Sequence, residues 1–184
     1  MSDQNKPGFP RRALALDGLA QDALLGVAGG LGTIPYLGGF LGGRSTAPLH
    51  EDCAAALGWG RKRSGALAQA FARRTGRPAL LLEDGFLRSV GLGKLGAASV
   101  SLVIDDEGIY YDSSAPSRLE NLLKARAAHG AGVDPGVAEA LARWQGERLS
   151  KYNTGVDAPV PAARGRIVLV DQVLGDLSVA GAGA

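Results

Sequence analysis

The sequence predicts an α/β fold, a parallel sheet with helices packed on its faces. Three observations carry that reading. Ala79-Leu80-Leu81-Leu82 is an unbroken apolar run that stops abruptly at Glu83-Asp84-Gly85, as a parallel strand buried on both faces would. The stretch Ser64–Arg74 before it places Leu67, Ala70 and Phe71 on one face of a helix. Ala54–Trp59, before that helix, is short and apolar, so strand, helix and strand follow one another through short connections.

Composition agrees and removes several function classes. The chain has 184 residues, 46% of them hydrophobic and 21% charged, which is enough to build a buried core. It contains 28 glycines, which predicts many tight turns and a core of small side chains. Twenty Lys and Arg against 18 Asp and Glu leave a formal charge of +2, too little to predict a nucleic-acid partner. Cys53 is the sole cysteine, so no internal disulfide and no CxxC zinc site exist, and a reducing cytosol is the expected compartment. With only His50 and His129 and no HExxH, no metal site is expected.

Along the chain, Met1–Pro10 is polar and reads as a loose terminus. Leu14–Leu25 has the spacing of a short amphipathic helix, Gly26–Gly32 is a glycine loop, and Ile34–Leu41 suits one or two helical turns. Residues 1–33 are therefore expected to be a loosely ordered, Gly-rich segment, with the folded domain over 34–184. The uncharged stretch Ala23–Gly43 has about the length of a bilayer span. Its many glycines and central Pro35 favour a loop followed by a short helix, with a membrane tether as the alternative.

Ser64 is a candidate cap for the Ser64–Arg74 helix, and Gly76 with Pro78 ends it. Val100–Ile104 is β-rich, and a turn at Asp105–Gly108 followed by Ile109-Tyr110-Tyr111 predicts a hairpin. Pro116–Ala128 reads as a helix covering the sheet, with Ser117 and Glu120 in a capping-box pattern. Asp134-Pro135 starts another helix running to about Leu149. After a linker from Asn153 to Gly165, Ile167–Val170 is expected to join Ala79–Leu82 in the sheet.

Four features bear on chemistry. Gly91-x-Gly93-x-x-Gly96 spells a dinucleotide fingerprint but lacks the strand before it and the helix after it, so it reads as a loop. Arg61-Lys62-Arg63 with Arg73, Arg74 and Arg77 is either a solvated helix face or an anion site. Glu83 and Asp84 sit at the carboxyl end of a buried strand, where open α/β sheets bind ligands. They suit general acid or base work, or equally an acidic turn paired with Arg88. Asp171, Gln172, Asp176 and Ser178 follow the second apolar strand, where an aspartate is a nucleophile or a base, or else serves a turn or a cap. Two such carboxylate sites together suggest a glycosyl-transfer cleft, without the DxD metal motif of other sugar transferases.

These segments resemble the β-Kdo glycosyltransferase modules of the KpsC type, from bacterial capsular polysaccharide assembly. The matching pieces are Trp59-Gly60-Arg61-Lys62-x-Ser64-Gly65 and the run from Glu83-Asp84-Gly85-Phe86-Leu87-Arg88-Ser89 to Gly93. Ser101-Leu102-Val103-x-Asp105, Gly108-Ile109-Tyr110-Tyr111-Asp112, Pro116-Ser117-x-Leu119-Glu120 and Ser150-Lys151-Tyr152-Asn153 follow in family order. Val170-Asp171-Gln172-Val173-x-x-Asp176-x-Ser178 is the last.

The resemblance implies a Rossmann-like lobe, half of a two-lobed, GT-B-like transferase with its site between the lobes. It implies CMP-Kdo as donor, no cofactor, a lipid-linked glycan as acceptor, and retention of anomeric configuration. Asp176 maps onto the family's nucleophile and Glu83 onto its acid/base group. Asp84, Gly85, Arg88, Ser89, Gln172 and Ser178 map onto substrate-binding positions. Because family modules continue into a second lobe that carries most of the CMP-binding surface, the chain is expected to be truncated, inactive alone and completed by that lobe in trans. No nucleic-acid partner is implied. The expected location is the cytoplasm, with peripheral association at the inner face of the membrane where a lipid-linked acceptor lies. A non-catalytic binding or scaffolding module of capsule assembly is the alternative.

Overall fold

The computed structural model describes residues 14–128, 135–153 and 175–180, with the single positions 165, 167 and 169. It contains a five-stranded sheet built from β1 (Leu25–Val27), β2 (Thr46–Pro48), β3 (Ala55–Trp59), β4 (Ala79–Asp84) and β5 (Leu102–Asp105). The order is β2-β1-β3-β4-β5; the first four strands are parallel and β5 is antiparallel to β4. The α/β class is as predicted, with an antiparallel edge added.

The helices are α1 (Leu37–Phe40), α2 (Arg63–Thr75), α3 (Arg118–Ala128), α4 (Pro135–Gly146) and α5 (Leu177–Ala180). Strand alternation sends Leu57, Leu80 and Leu82 into one core with Leu16, Leu25, Leu37 and Leu41. Ala56 faces the other way, against Ala68 and Phe71 of α2 and Cys53. A Cβ at Gly58 would come within 2.5 Å of the Gly65 Cα, so two glycines let α2 lie close against β3. Gly76 ends α2 in the left-handed conformation at φ 71°, its N–H donating to the Ala72 carbonyl.

Several expectations are corrected. Residues 14–33 are not loosely ordered. Leu25–Val27 lies between β2 and β3 with all three residues buried. Arg44, 2% exposed, donates to the carbonyls of Leu16, Leu19, Ala20 and Leu41 and ties that segment to α1. In place of a helix over Leu14–Leu25 there is a single 3-10 turn, Leu14–Leu16, before β1. Ser64 does not cap α2: its hydroxyl accepts the Trp59 N–H at 3.0 Å.

The strand predicted over 100–104 pairs with β4, not with Ile109–Tyr111, which is not a strand. The Ser117 hydroxyl does accept the Glu120 N–H, at 3.1 Å. Helix α3, however, buries no residue, and Leu122 and Leu123 stay exposed, so it does not cover the sheet. Of the stretch 167–170 only Ile167 and Leu169 are described, and both are almost fully exposed, so the described sheet has no strand there. Among the described residues no helix is long and apolar enough to cross a membrane.

Candidate active site

β3 and β4 end side by side, with Trp59 opposite Leu82. The residues just beyond them form the carboxyl edge of the sheet, where loops are free to converge on a ligand. Glu83 is half-buried there and is held by two donors. Its Oε1 accepts the Trp59 indole N–H at 2.9 Å and the Asp84 backbone N–H at 3.2 Å. The Tyr111 hydroxyl lies against the same face of Gly60 as Glu83 Oε2, and the Glu83 charge acts on it. That hydroxyl accepts the Arg61 N–H at 3.1 Å. The Arg61 guanidinium pairs with Asp112, anchoring the segment that carries Tyr111.

Gly60 makes this convergence fit. Its φ is 36°, and a Cβ there would overlap the Tyr111 hydroxyl and lie 2.7 Å from Glu83 Oε2. Burial raises the Tyr110 and Tyr111 pKa values above 10.0, and the Glu83 charge raises both further. Asp84 and Asp176 add to the effect on Tyr110, so Tyr110 stands where the carboxylates converge.

Asp176 precedes α5. The backbone N–H of Ser178 donates to its Oδ1 at 2.9 Å and the Ser178 hydroxyl at 2.8 Å. These bonds, the backbone one first, lower its pKa below 3.8, so the side chain is an anion at neutral pH. Glu83 and Asp176 line one cleft of about 770 Å³ together with Tyr110, Tyr111, Lys62, Lys151 and Ser178. The arrangement offers an ionised aspartate and an oriented glutamate to one bound molecule, the pairing a double displacement uses. Among the described residues no group of three or more His, Cys, Asp or Glu side chains is arranged to hold a metal ion.

The other predicted positions divide. Ser178 lines the cleft. Asp84 and Arg88 form an ion pair at 3.0 Å and line an adjoining cavity of about 460 Å³. Ser89 does not face a substrate: it is fully buried, accepts from Arg88 at 2.9 Å and donates to the Gly91 carbonyl. Gly85 is buried against Ser101, whose side chain a Cβ would overlap, so its role is packing. Gln172 lies outside the described residues. Gly91-x-Gly93-x-x-Gly96 is a loop with a 3-10 turn at Gly93–Leu95. Sequence reasoning assigned no role to Trp59, Tyr110, Tyr111 or Lys151. The available signal was that each falls inside a segment carrying the family resemblance.

The end of β4 and the segment 175–180 thus bring two carboxylates, Glu83 and Asp176, to one cleft of an α/β fold. Comparison with known proteins narrows the class. Residues 54–139 match the family described as capsule polysaccharide biosynthesis protein. The chain is 36% identical over 168 residues to the capsule polysaccharide modification protein LipA of Neisseria meningitidis serogroup B, covering 84% of this chain and 23% of LipA. It is 38% identical over 117 residues to the lipopolysaccharide-processing protein LpsZ of Rhizobium meliloti, covering 61% of this chain and 27% of LpsZ. Among solved structures it superimposes on the Thermosulfurimonas dismutans KpsC β-Kdo 2,4 transferase with a TM-score of 0.69 and 34% identity, over 91% of this chain and 54% of that one.

The chain is thus similar to part of these capsule polysaccharide proteins and to part of the KpsC β-Kdo 2,4 transferase. It spans about a quarter of the curated relatives' length and 54% of the solved transferase chain.

Proposed function

We propose that this chain forms the N-terminal lobe of a retaining β-Kdo transferase module of capsular polysaccharide biosynthesis, moving Kdo from CMP-Kdo to a lipid-linked glycan acceptor. The observation that carries the reading is the single cleft lined by both Glu83 and Asp176. The Asp176 carboxylate attacks the anomeric carbon of the donor sugar, and the bond to the CMP phosphate breaks, giving a glycosyl ester on Asp176. Glu83 then takes the proton of an acceptor hydroxyl as that oxygen attacks the same carbon and releases Asp176. Two inversions at one carbon give net retention.

The chemistry so written uses the two carboxylates and no cofactor. A second lobe closing over the cleft supplies most of the CMP contacts, and the reaction takes place at the cytoplasmic face of the membrane that holds the acceptor. The test is a chimera in which this chain replaces the corresponding part of the Thermosulfurimonas dismutans transferase. Transfer of Kdo from CMP-Kdo with β configuration in the product is expected. A folded chimera that binds CMP-Kdo but transfers nothing would favour a non-catalytic binding module.

A further inference from the structure

Trp59 closes β3, and three neighbours fix its place. It stands beside Leu82 in the parallel register, one residue short of Glu83 on β4. Its backbone N–H donates to the Ser64 hydroxyl at 3.0 Å, which ties it to the first turn of α2. Its side chain packs against the core that holds Leu57, Leu80 and Leu82. The Lys62 ammonium stands 5.6 Å from the ring centre, within reach of a cation–π contact.

From that seat the indole N–H donates to Glu83 Oε1 at 2.9 Å. The other donor on Oε1 is the Asp84 backbone N–H, at 3.2 Å. The two bonds do different work. Asp84 is the next residue of the same strand, so its N–H moves with the backbone of Glu83 itself. Trp59 belongs to another strand, so its bond fixes the carboxylate relative to the rest of the cleft. A glutamate side chain has several rotatable bonds, and keeping it in one rotamer costs entropy. A donor that is itself immobile bears that cost before the reaction begins.

We propose that Trp59 is a positioning residue, whose indole N–H holds the Glu83 carboxylate at the angle from which it takes the acceptor proton. Trp59 acts through Glu83 and takes no part in the bonds made or broken. The proposal rests on the transferase reading and adds a residue to its proton-transfer step.

A purely structural Trp59 would act through its ring, whereas a positioning Trp59 acts through its N–H, and two measurements tell these apart. The first uses the full chain and needs no activity. Its two tryptophans give two indole N–H resonances in a nitrogen-15 correlation spectrum, assigned with Trp144→Phe. Glu83→Gln exchanges a charged acceptor for a neutral one, so it is expected to move the Trp59 resonance upfield and leave that of Trp144 in place. A Trp59 resonance that stays where it was would overturn the contact and the proposal with it.

The second places 3-benzothienylalanine, in which sulfur replaces the indole N–H and the ring is kept, at position 59 of the chimera. The kcat of Kdo transfer is expected to fall about 10-fold or more, with KM for CMP-Kdo and the urea midpoint nearly unchanged. An unchanged kcat, in a chimera active with the natural Trp59, would overturn the positioning role and leave the transferase reading standing. A chimera that transfers nothing with the natural Trp59, while the resonance moves, removes the transferase reading and leaves Trp59 as the group that orients Glu83.

Discussion

Tyr111 reaches Glu83 across Gly60, and the missing side chain at position 60 is what lets them meet. A methyl group there would overlap the tyrosine hydroxyl and crowd Glu83 Oε2 at 2.7 Å, on a backbone whose φ of 36° already disfavours a side chain. Gly60→Ala is expected to lower stability by roughly 1–3 kcal/mol, read from the urea midpoint. In the chimera it should lower Kdo transfer by about 100-fold, because a displaced Glu83 no longer meets the acceptor hydroxyl. Undiminished transfer would mean that the Tyr111–Glu83 contact has no bearing on turnover.

The tyrosines give the fold an alkaline limit. Tyr110 and Tyr111 both have pKa values raised above 10.0, first by burial and then by the Glu83 charge. The folded state thus favours the neutral phenol, while the unfolded chain ionises near 10.0. Their contribution is fully present below that pH and is lost as pH rises through the folded values. Urea unfolding should show stability falling from pH 10 upward, and the double variant Tyr110→Phe/Tyr111→Phe should decline less steeply. An identical decline in both proteins would count against these phenols as the cause.

Asp105 should matter to the fold and not to the cleft. It is 1% exposed, and its carboxylate accepts the backbone N–H groups of Glu107 and Gly108 at 2.9 Å and of Arg118 at 3.1 Å. Those bonds hold the turn after β5 from which the chain returns to Tyr110 and Tyr111. Asp105→Ala leaves buried donors unpaired and is expected to cost about 3 kcal/mol in urea unfolding. A loss under about 0.5 kcal/mol, the size of an ordinary surface change, would contradict that role.

The β3–α2–β4 unit was legible because each part carries its own signal: two apolar runs, and a helix stopped by Gly76. β1 was not, since Leu25-Gly26-Val27 is too short to show a period and becomes a strand only through neighbours on both sides. The apolar content of Val100–Ile104 marked a strand but not its partner, because pairing with β4 is a long-range choice. The Ser117–Glu120 capping pattern marked where α3 starts but not what it packs on, and α3 leaves Leu122 and Leu123 exposed. In the site, Glu83 stood out as a carboxylate at the end of an apolar strand, whereas Asp176 was singled out by the family resemblance, and the structure places both on one cleft. Trp59 and Tyr111 were not, because their role exists only once the chain has folded them onto Glu83.

The central claim, that Asp176 and Glu83 serve one sugar bound between them, is tested most directly by turnover of the chimera carrying Asp176→Asn beside one carrying Glu83→Gln. The amide keeps the shape of Asp176 and its acceptor for Ser178 but is no nucleophile, so transfer should fall by about 1,000-fold or more while the urea midpoint barely moves. Glu83→Gln should lower kcat more than it raises KM for the acceptor. Near-normal transfer by the folded Asp176→Asn protein would contradict the claim and leave Asp176 as a cap on α5.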